Sequence, residues 1–185
     1  MGTRNLTVVV LDGQYRVAQY GQWDGYPTGQ GRVIVDFLRE KYDAEAFETA
    51  LRNSRFLSND EIEDRVQMSR GRLLRDYPEL HRDTAAEILE IIQNHTEGIG
   101  LENSLWFAAD SLMCEWAYVV DLDAEKLEVY RGFNTEPLTA NDRFFFLRDE
   151  EREDCEYHGV KKIAEWSLDD LHSVPKLFLD DEEDI

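Results

Sequence analysis

Between residues 19 and 31 the sequence combines aromatic, acidic and glycine residues in a pattern that could bind a small molecule. Trp23 and Tyr26 could stack on a planar ligand, and Asp24 could orient one of its polar groups. Because this segment precedes a predicted helix, the backbone N–H groups near its glycines could hold an anion. The predicted ligand-binding residues are Gln22, Trp23, Asp24, Tyr26, Gly29, Gln30 and Gly31.

The glycine-rich segment does not match a complete nucleotide-binding motif. It lacks the Lys-Ser/Thr pair of a P-loop and the full six-position dinucleotide fingerprint, and Arg32 is the only basic residue that follows it closely. The glycines and Pro27 are equally compatible with a rigid turn whose aromatic residues cover the edge of a sheet. The pattern therefore leaves two interpretations open, a nucleotide-like ligand site and a structural turn.

No other group of residues forms a complete catalytic or metal-binding constellation. The predicted hairpin, loop and helix at the amino terminus resemble the order found in amino-terminal nucleophile hydrolases, but removal of Met1 would expose Gly2, which carries no nucleophile. The four histidines are not spaced four residues apart, as a helical metal pair requires. Cys114 lies in an apolar stretch typical of a core residue. The sequence therefore leaves any catalytic residue unknown and predicts no metal and no cofactor.

The whole chain has a net charge of −20, and its acidic residues are concentrated in the second half. Residues 93–185 contain 24 Asp and Glu against 8 Lys and Arg, whereas residues 1–92 contain 16 against 12. Such a field repels a phosphate backbone and favours a basic protein partner, although it could also serve solubility alone. The predicted partner-binding residues are Asp121, Asp123, Asp149, Glu150 and Glu151.

The remaining composition points to a cytoplasmic protein. Cys114 and Cys155 are far apart in the sequence and give no sign of a disulfide framework. No stretch approaches the 18 consecutive apolar residues of a membrane-spanning helix, and no secretory signal is apparent. We therefore expect reduced thiols and no membrane association.

The periodicity of apolar residues predicts an α+β domain. Its mainly antiparallel sheet is built from amino-terminal and carboxyl-terminal hairpins, and a helical middle segment packs on it. A single domain is expected over residues 1–178, with a disordered acidic tail over 179–185. Predicted strands are 6–11, 15–20, 116–122, 127–133, 144–147 and 160–166, a helix is expected over 30–42, and further helices are expected to begin at Asp43, Ser58, Asp83 and Ser167.

Parts of the sequence resemble a family of uncharacterised bacterial and bacteriophage proteins. The resemblance is carried by Thr3-Arg4-Asn5-Leu6-Thr7, by residues 19–27 with Gly29-Gln30-Gly31, and by residues 116–123 and 129–133. It spans most of the chain and implies a prophage or mobile-element context. It supplies no catalytic residue.

Two functional hypotheses follow. The first is a non-enzymatic interaction protein whose acidic second half binds, and thereby inhibits, a basic nucleic-acid-binding host protein. The second is a small-ligand protein or enzyme that acts at the Gln19 to Gly31 segment.

Overall fold

A computed structural model describes residues 2–147 and 156–179 of the chain. Its main feature is a five-stranded sheet in the order β2-β1-β5-β6-β7, accompanied by a separate pair of two-residue strands, β3 and β4. The strands are β1 (Asn5–Leu11), β2 (Gln14–Gly21), β3 (Arg55–Phe56), β4 (Gly100–Leu101), β5 (Trp116–Asp121), β6 (Lys126–Arg131) and β7 (Lys161–Ser167).

The predicted amino-terminal hairpin is confirmed. Asp12 and Gly13 both adopt positive φ, at 56° and 68°, which is the geometry of the tight turns that join antiparallel strands. Strands β1 and β2 pair from Asn5 opposite Gly21 to Leu11 opposite Gln14, with an irregularity at Val9 and Val10. The carboxyl-terminal hairpin of β5 and β6 is confirmed in the same way, and β7 adds antiparallel to β6.

At the centre of the sheet β1 and β5 pair in parallel. Both strands are covered on both faces, and every residue of β5 is buried. The alternation of Tyr118, Val120 and Leu122 with Asp121 and Asp123 predicts a single core face for this strand, and that prediction is wrong. Val120 and Tyr118 pack on one side, while Val119 and Ala117 pack on the other.

The helices of the middle segment cover the first of these faces, where the larger apolar core lies. Asp43 and Ser58 cap helices as predicted, since their side chains accept hydrogen bonds from the backbone N–H groups of Ala46 and Glu61. The helices are α1 (Arg32–Asp36), extended by wider turns over Pro27–Gly31 and Phe37–Lys41, α2 (Ala44–Asn53), α3 (Asn59–Ser69), α4 (Leu73–Asp76) and α5 (Ile88–Gln93).

Irregular segments cover the opposite face. The short 3-10 turns Leu105–Ala109 and Phe145–Leu147 lie there, and Phe144 is buried against the ring of Tyr130, with the ring centroids 5.0 Å apart. The prediction of a strand over 144–147 is therefore wrong. A run of three phenylalanines has high strand propensity, but here Phe144 anchors a loop to the sheet and Phe146 remains exposed.

The fold is the predicted α+β class, with a mainly antiparallel sheet and a helical middle segment packed on it. Of the other two residues predicted to begin helices, Ser167 acts as a cap and Asp83 does not. Ser167 caps the short turn Leu168–His172 by accepting a hydrogen bond from Asp169 N–H. Asp83 caps nothing, because the next turn begins at Ala85 with Thr84 at the capping position. The predicted acidic tail, apart from Leu179, lies outside the described residues.

Candidate functional site

Three turns meet at one end of the sheet. Strands β1 and β5 run parallel, and β7 runs parallel to β5 because β6 between them is antiparallel to both. The residues that follow the carboxyl ends of β1, β5 and β7 are therefore neighbours. They are unusually acidic, and we refer to Asp12, Asp123, Glu125, Asp169 and Asp170 as the acidic edge.

Hydrogen bonds fix the relative positions of these turns. The Asp123 carboxylate accepts from Asp12 N–H at 2.8 Å and from Gly13 N–H at 2.7 Å, which joins the turn after β5 to the turn after β1. The turn after β7 is joined to the same place, since Leu168 N–H donates to the Glu125 carbonyl at 2.9 Å. The acidic edge is therefore a continuous surface.

The acidic edge is only partly neutralised. Asp12 pairs with Arg52 at 3.0 Å and with Arg16 at 3.4 Å, and the hydrogen bond from Arg52 holds the pKa of that carboxyl below its usual value. Glu125, Asp169 and Asp170 are exposed. Across residues 2–147 and 156–179, no lysine or arginine lies within ion-pair distance of these three carboxylates, so their charge faces solvent.

Asp121, one of the predicted partner-binding residues, takes part in a buried ion pair. It is buried, and its carboxylate pairs with Arg143 at 2.5 Å and accepts from Ala124 N–H at 2.9 Å. Arg143 also pairs with the buried Glu128 at 2.6 Å, and Tyr130 Oη–H donates to the same carboxylate at 2.8 Å. The guanidinium thus bridges two buried carboxylates, which raise the pKa of Arg143 against the opposing effect of its partial burial.

Asp123 is exposed, but both of its oxygens hold the hairpin turn. The other three predicted partner-binding residues, Asp149, Glu150 and Glu151, lie outside the described residues. Glu125, Asp169 and Asp170 are not among the partner-binding residues predicted from the sequence. Two signals could have identified them, namely the turn between the predicted hairpin strands and the position of Asp169-Asp170 directly after the capping Ser167.

The glycine-rich loop closes on itself. The N–H groups of Gly29 and Gly31 donate to the Tyr26 carbonyl at 3.0 and 3.2 Å, and Gln30 N–H donates to the Asp24 carbonyl at 2.8 Å. These are the backbone donors that the anion interpretation requires, and they are already used within the loop. Asp24 adopts a positive φ of 52°, which turns its carbonyl toward this position.

Side chains of the loop are tied to neighbouring elements. Trp23 Nε1–H donates to the Asp83 carboxylate at 3.0 Å, and the Gln22 side chain accepts from Tyr20 Oη–H at 2.7 Å. The Gln30 side chain accepts from Ala86 N–H at 3.1 Å. Trp23 and Tyr26 nevertheless remain 46% and 41% exposed, so each ring presents part of its surface to solvent.

Beneath the loop the packing is tight. Tyr118 Oη–H donates to the Gly25 carbonyl at 2.8 Å in a buried position. A Cβ atom at Gly31 would lie 2.9 Å from the Tyr118 ring and 3.0 Å from the Phe178 ring, so only glycine fits there without displacement. The segment is therefore a packed element of the fold, with its two exposed aromatic rings on the outside.

The described residues contain no group of three or more His, Cys, Asp and Glu side chains that could hold a metal ion. Cys114 is fully buried, and burial raises the pKa of its thiol, which makes it a poor nucleophile. None of the helices in the described part of the chain has the length and apolar composition required to cross a bilayer.

Comparisons of the chain with protein-family models, with curated proteins and with solved structures give no significant match.

Proposed function

We propose that the protein binds a basic protein through its acidic second half, and that the exposed carboxylates of Glu125, Asp169 and Asp170 on the acidic edge form the contact surface. The proposal includes inhibition, because a carboxylate-rich surface that occupies a nucleic-acid-binding cleft excludes the phosphate backbone. The observation that carries it is the group of three exposed carboxylates, Glu125, Asp169 and Asp170, with no cation of the described residues near them.

The geometry of the edge supports recognition by charge. Its turns are hydrogen-bonded to one another, so the backbone that carries these carboxylates is already positioned, and little backbone conformational entropy is lost on binding. Charges of one sign on a rigid surface raise association rates with an oppositely charged partner. Because the Debye length is about 8 Å at physiological salt, such binding weakens as salt increases.

The test is affinity capture from a bacterial lysate with the immobilised full-length chain, followed by elution with a salt gradient. We expect the captured proteins to be basic, and to be released early in the gradient. The triple variant Glu125→Gln, Asp169→Asn, Asp170→Asn should capture much less of them, since it removes three exposed negative charges from the edge.

A matched control separates a local surface from a general field. The triple variant Glu40→Gln, Glu45→Gln, Glu63→Gln also removes three exposed negative charges, but from the helical segment. We expect this control to capture as much as the wild-type chain. Equal losses in both variants, or captured proteins that are not basic and resist salt, would contradict the assignment of the acidic edge.

A further inference from the structure

The segment between residues 65 and 82 has the opposite charge from the rest of the chain. It contains five arginines against only Asp76 and Glu79, in a protein with a net charge of −20. This segment comprises the second half of α3, whose first half is acidic, and the whole of α4. A local surface of this sign in an acidic protein is a candidate for recognition of an anionic partner.

The two helices enclose an open hollow of about 520 Å³. Helix α3 ends at Ser69, and Arg70 and Gly71 then reverse the chain with positive φ values of 50° and 81°, so that α4 begins two residues later. The residues that line the hollow include Val66, Leu74, Arg72, Arg75 and His81, and we refer to these five as the cationic hollow.

The apolar side chains of the cationic hollow are not covered by the described part of the chain. Val66 is 44% exposed and Leu74 is 50% exposed. Large aliphatic side chains at the contact between two helices are normally turned inward. Their exposure at one place gives a partner an apolar surface to bury.

The cations stand beside this apolar surface. Arg72 and Arg75 share the Asp76 carboxylate, which lies 3.4 Å from Arg72 Nε and 2.8 Å from Arg75 Nε. Both arginine side chains remain more than half exposed, at 54% and 66%. One carboxylate thus lies between two guanidinium groups, and a further carboxylate can be bound by donors on their solvent side.

We propose that the cationic hollow binds an acidic peptide segment of a partner protein, with a large aliphatic or aromatic side chain of that segment seated between Val66 and Leu74. Charge complementarity selects the acidic residues and the exposed apolar surface selects the anchor. The surface is separate from the acidic edge, so the two proposals stand or fall independently.

The experiment measures fluorescence anisotropy of a labelled peptide of alternating glutamate and leucine residues, titrated with the full-length chain at low salt. We expect saturable binding. The variant Arg72→Gln, Arg75→Gln should bind about tenfold more weakly or worse, because it removes two charge-assisted contacts. Leu74→Ser should also weaken binding by several-fold through the loss of apolar contact.

Matched controls test whether position matters. Leu112→Ser removes an aliphatic side chain of similar exposure, 46%, and Lys161→Gln removes a cation on β7; both should bind like the wild-type chain. Circular dichroism and thermal unfolding confirm that each variant is folded. A peptide with serine in place of leucine should bind more weakly than the glutamate and leucine peptide.

Four results would overturn the proposal. The first is the absence of saturable binding, and the second is binding that the arginine variant leaves unchanged. The third is displacement of the labelled peptide by inorganic phosphate as effectively as by unlabelled peptide, which would indicate a simple anion site. The fourth is a concentration-dependent increase in mass by sedimentation that the arginine variant abolishes, which would assign the surface to a second copy of the chain.

Discussion

The hydroxyl of Tyr118 donates a hydrogen bond to the carbonyl of Gly25 at 2.8 Å, and this contact joins the central strand of the sheet to the glycine-rich loop. Both groups are buried. The loop conformation is therefore coupled to the core of the fold.

Replacing Tyr118 with phenylalanine should lower the free energy of unfolding by about 1–3 kcal/mol, because the buried Gly25 carbonyl loses its donor. Urea denaturation followed by tryptophan fluorescence measures this loss. Tyr26→Phe, on the exposed part of the same loop, should change stability by less than about 0.5 kcal/mol. Similar values for the two variants would show that the Tyr118 contact does not hold the loop.

Arg143 provides a second test of the buried part of the structure. Its guanidinium bridges Asp121 and Glu128, so Arg143→Gln removes the cation that pairs with the buried Asp121 and leaves Glu128 with Lys162 at 3.4 Å. We expect a loss of about 3–5 kcal/mol in urea denaturation. The double variant Arg143→Gln, Asp121→Asn should recover part of this loss, since it removes one of the two carboxylates. A loss that the double variant only increases would argue against the bridge.

The main elements of the fold could be predicted from the sequence because their signals are local. The Asp12-Gly13 turn and the capping residues Asp43 and Ser58 act within a few residues of themselves. The parallel pairing of β1 with β5 joins segments about a hundred residues apart, and no local pattern encodes it. The acidic edge depends on that pairing, which is why Glu125 and Asp169 were not recognised as neighbours.

Two further segments follow tertiary contacts and not their local sequence pattern. Asp83 resembles a helix cap, but its carboxylate accepts from Trp23, which is sixty residues away in the sequence. Phe144 to Leu147 resembles a strand, but the surface available to Phe144 lies beside Tyr130 on a strand that is already paired on both sides. Tertiary contacts overrode the local preference in both cases.

The capping box at the start of α3 gives a prediction about a single hydroxyl. Ser58 Oγ accepts from Glu61 N–H, and the Glu61 carboxylate accepts in return from Ser58 N–H at 2.9 Å. Ser58→Ala should destabilise the protein by about 1 kcal/mol in urea denaturation. Ser104 occupies the corresponding position before Leu105–Ala109 without a side-chain cap, so Ser104→Ala should cost clearly less. Equal costs would mean that the Ser58 cap contributes nothing specific.

The ion pairs of Glu165 should make the stability of the folded protein depend on pH in the acidic range. Hydrogen bonds from Lys126 and Lys162 lower the pKa of its carboxyl to about 2. A lowered pKa stabilises the folded state above the unfolded pKa of about 4.5, and this stabilisation is lost as the pH falls toward 2. The melting temperature of Glu165→Gln should therefore lie below that of the wild-type chain at pH 6 and approach it at pH 3. This assignment would be contradicted if the difference in melting temperature between Glu165→Gln and the wild-type chain were the same at pH 6 and pH 3. It would also be contradicted if the exposed Glu97→Gln gave the same pH dependence.

The small-ligand hypothesis for the glycine-rich loop can be tested directly against the structure. The N–H groups of Gly29, Gln30 and Gly31 already donate within the loop, so a bound phosphate would have to replace these bonds. We therefore expect nucleotides at millimolar concentration to raise the melting temperature by less than about 1 °C. Trp23→Ala should destabilise the chain modestly through loss of the bond to Asp83, with or without nucleotide. If a nucleotide stabilises the wild-type chain and Trp23→Ala abolishes that effect, the exposed aromatic rings are a ligand site, and the loop rearranges to bind.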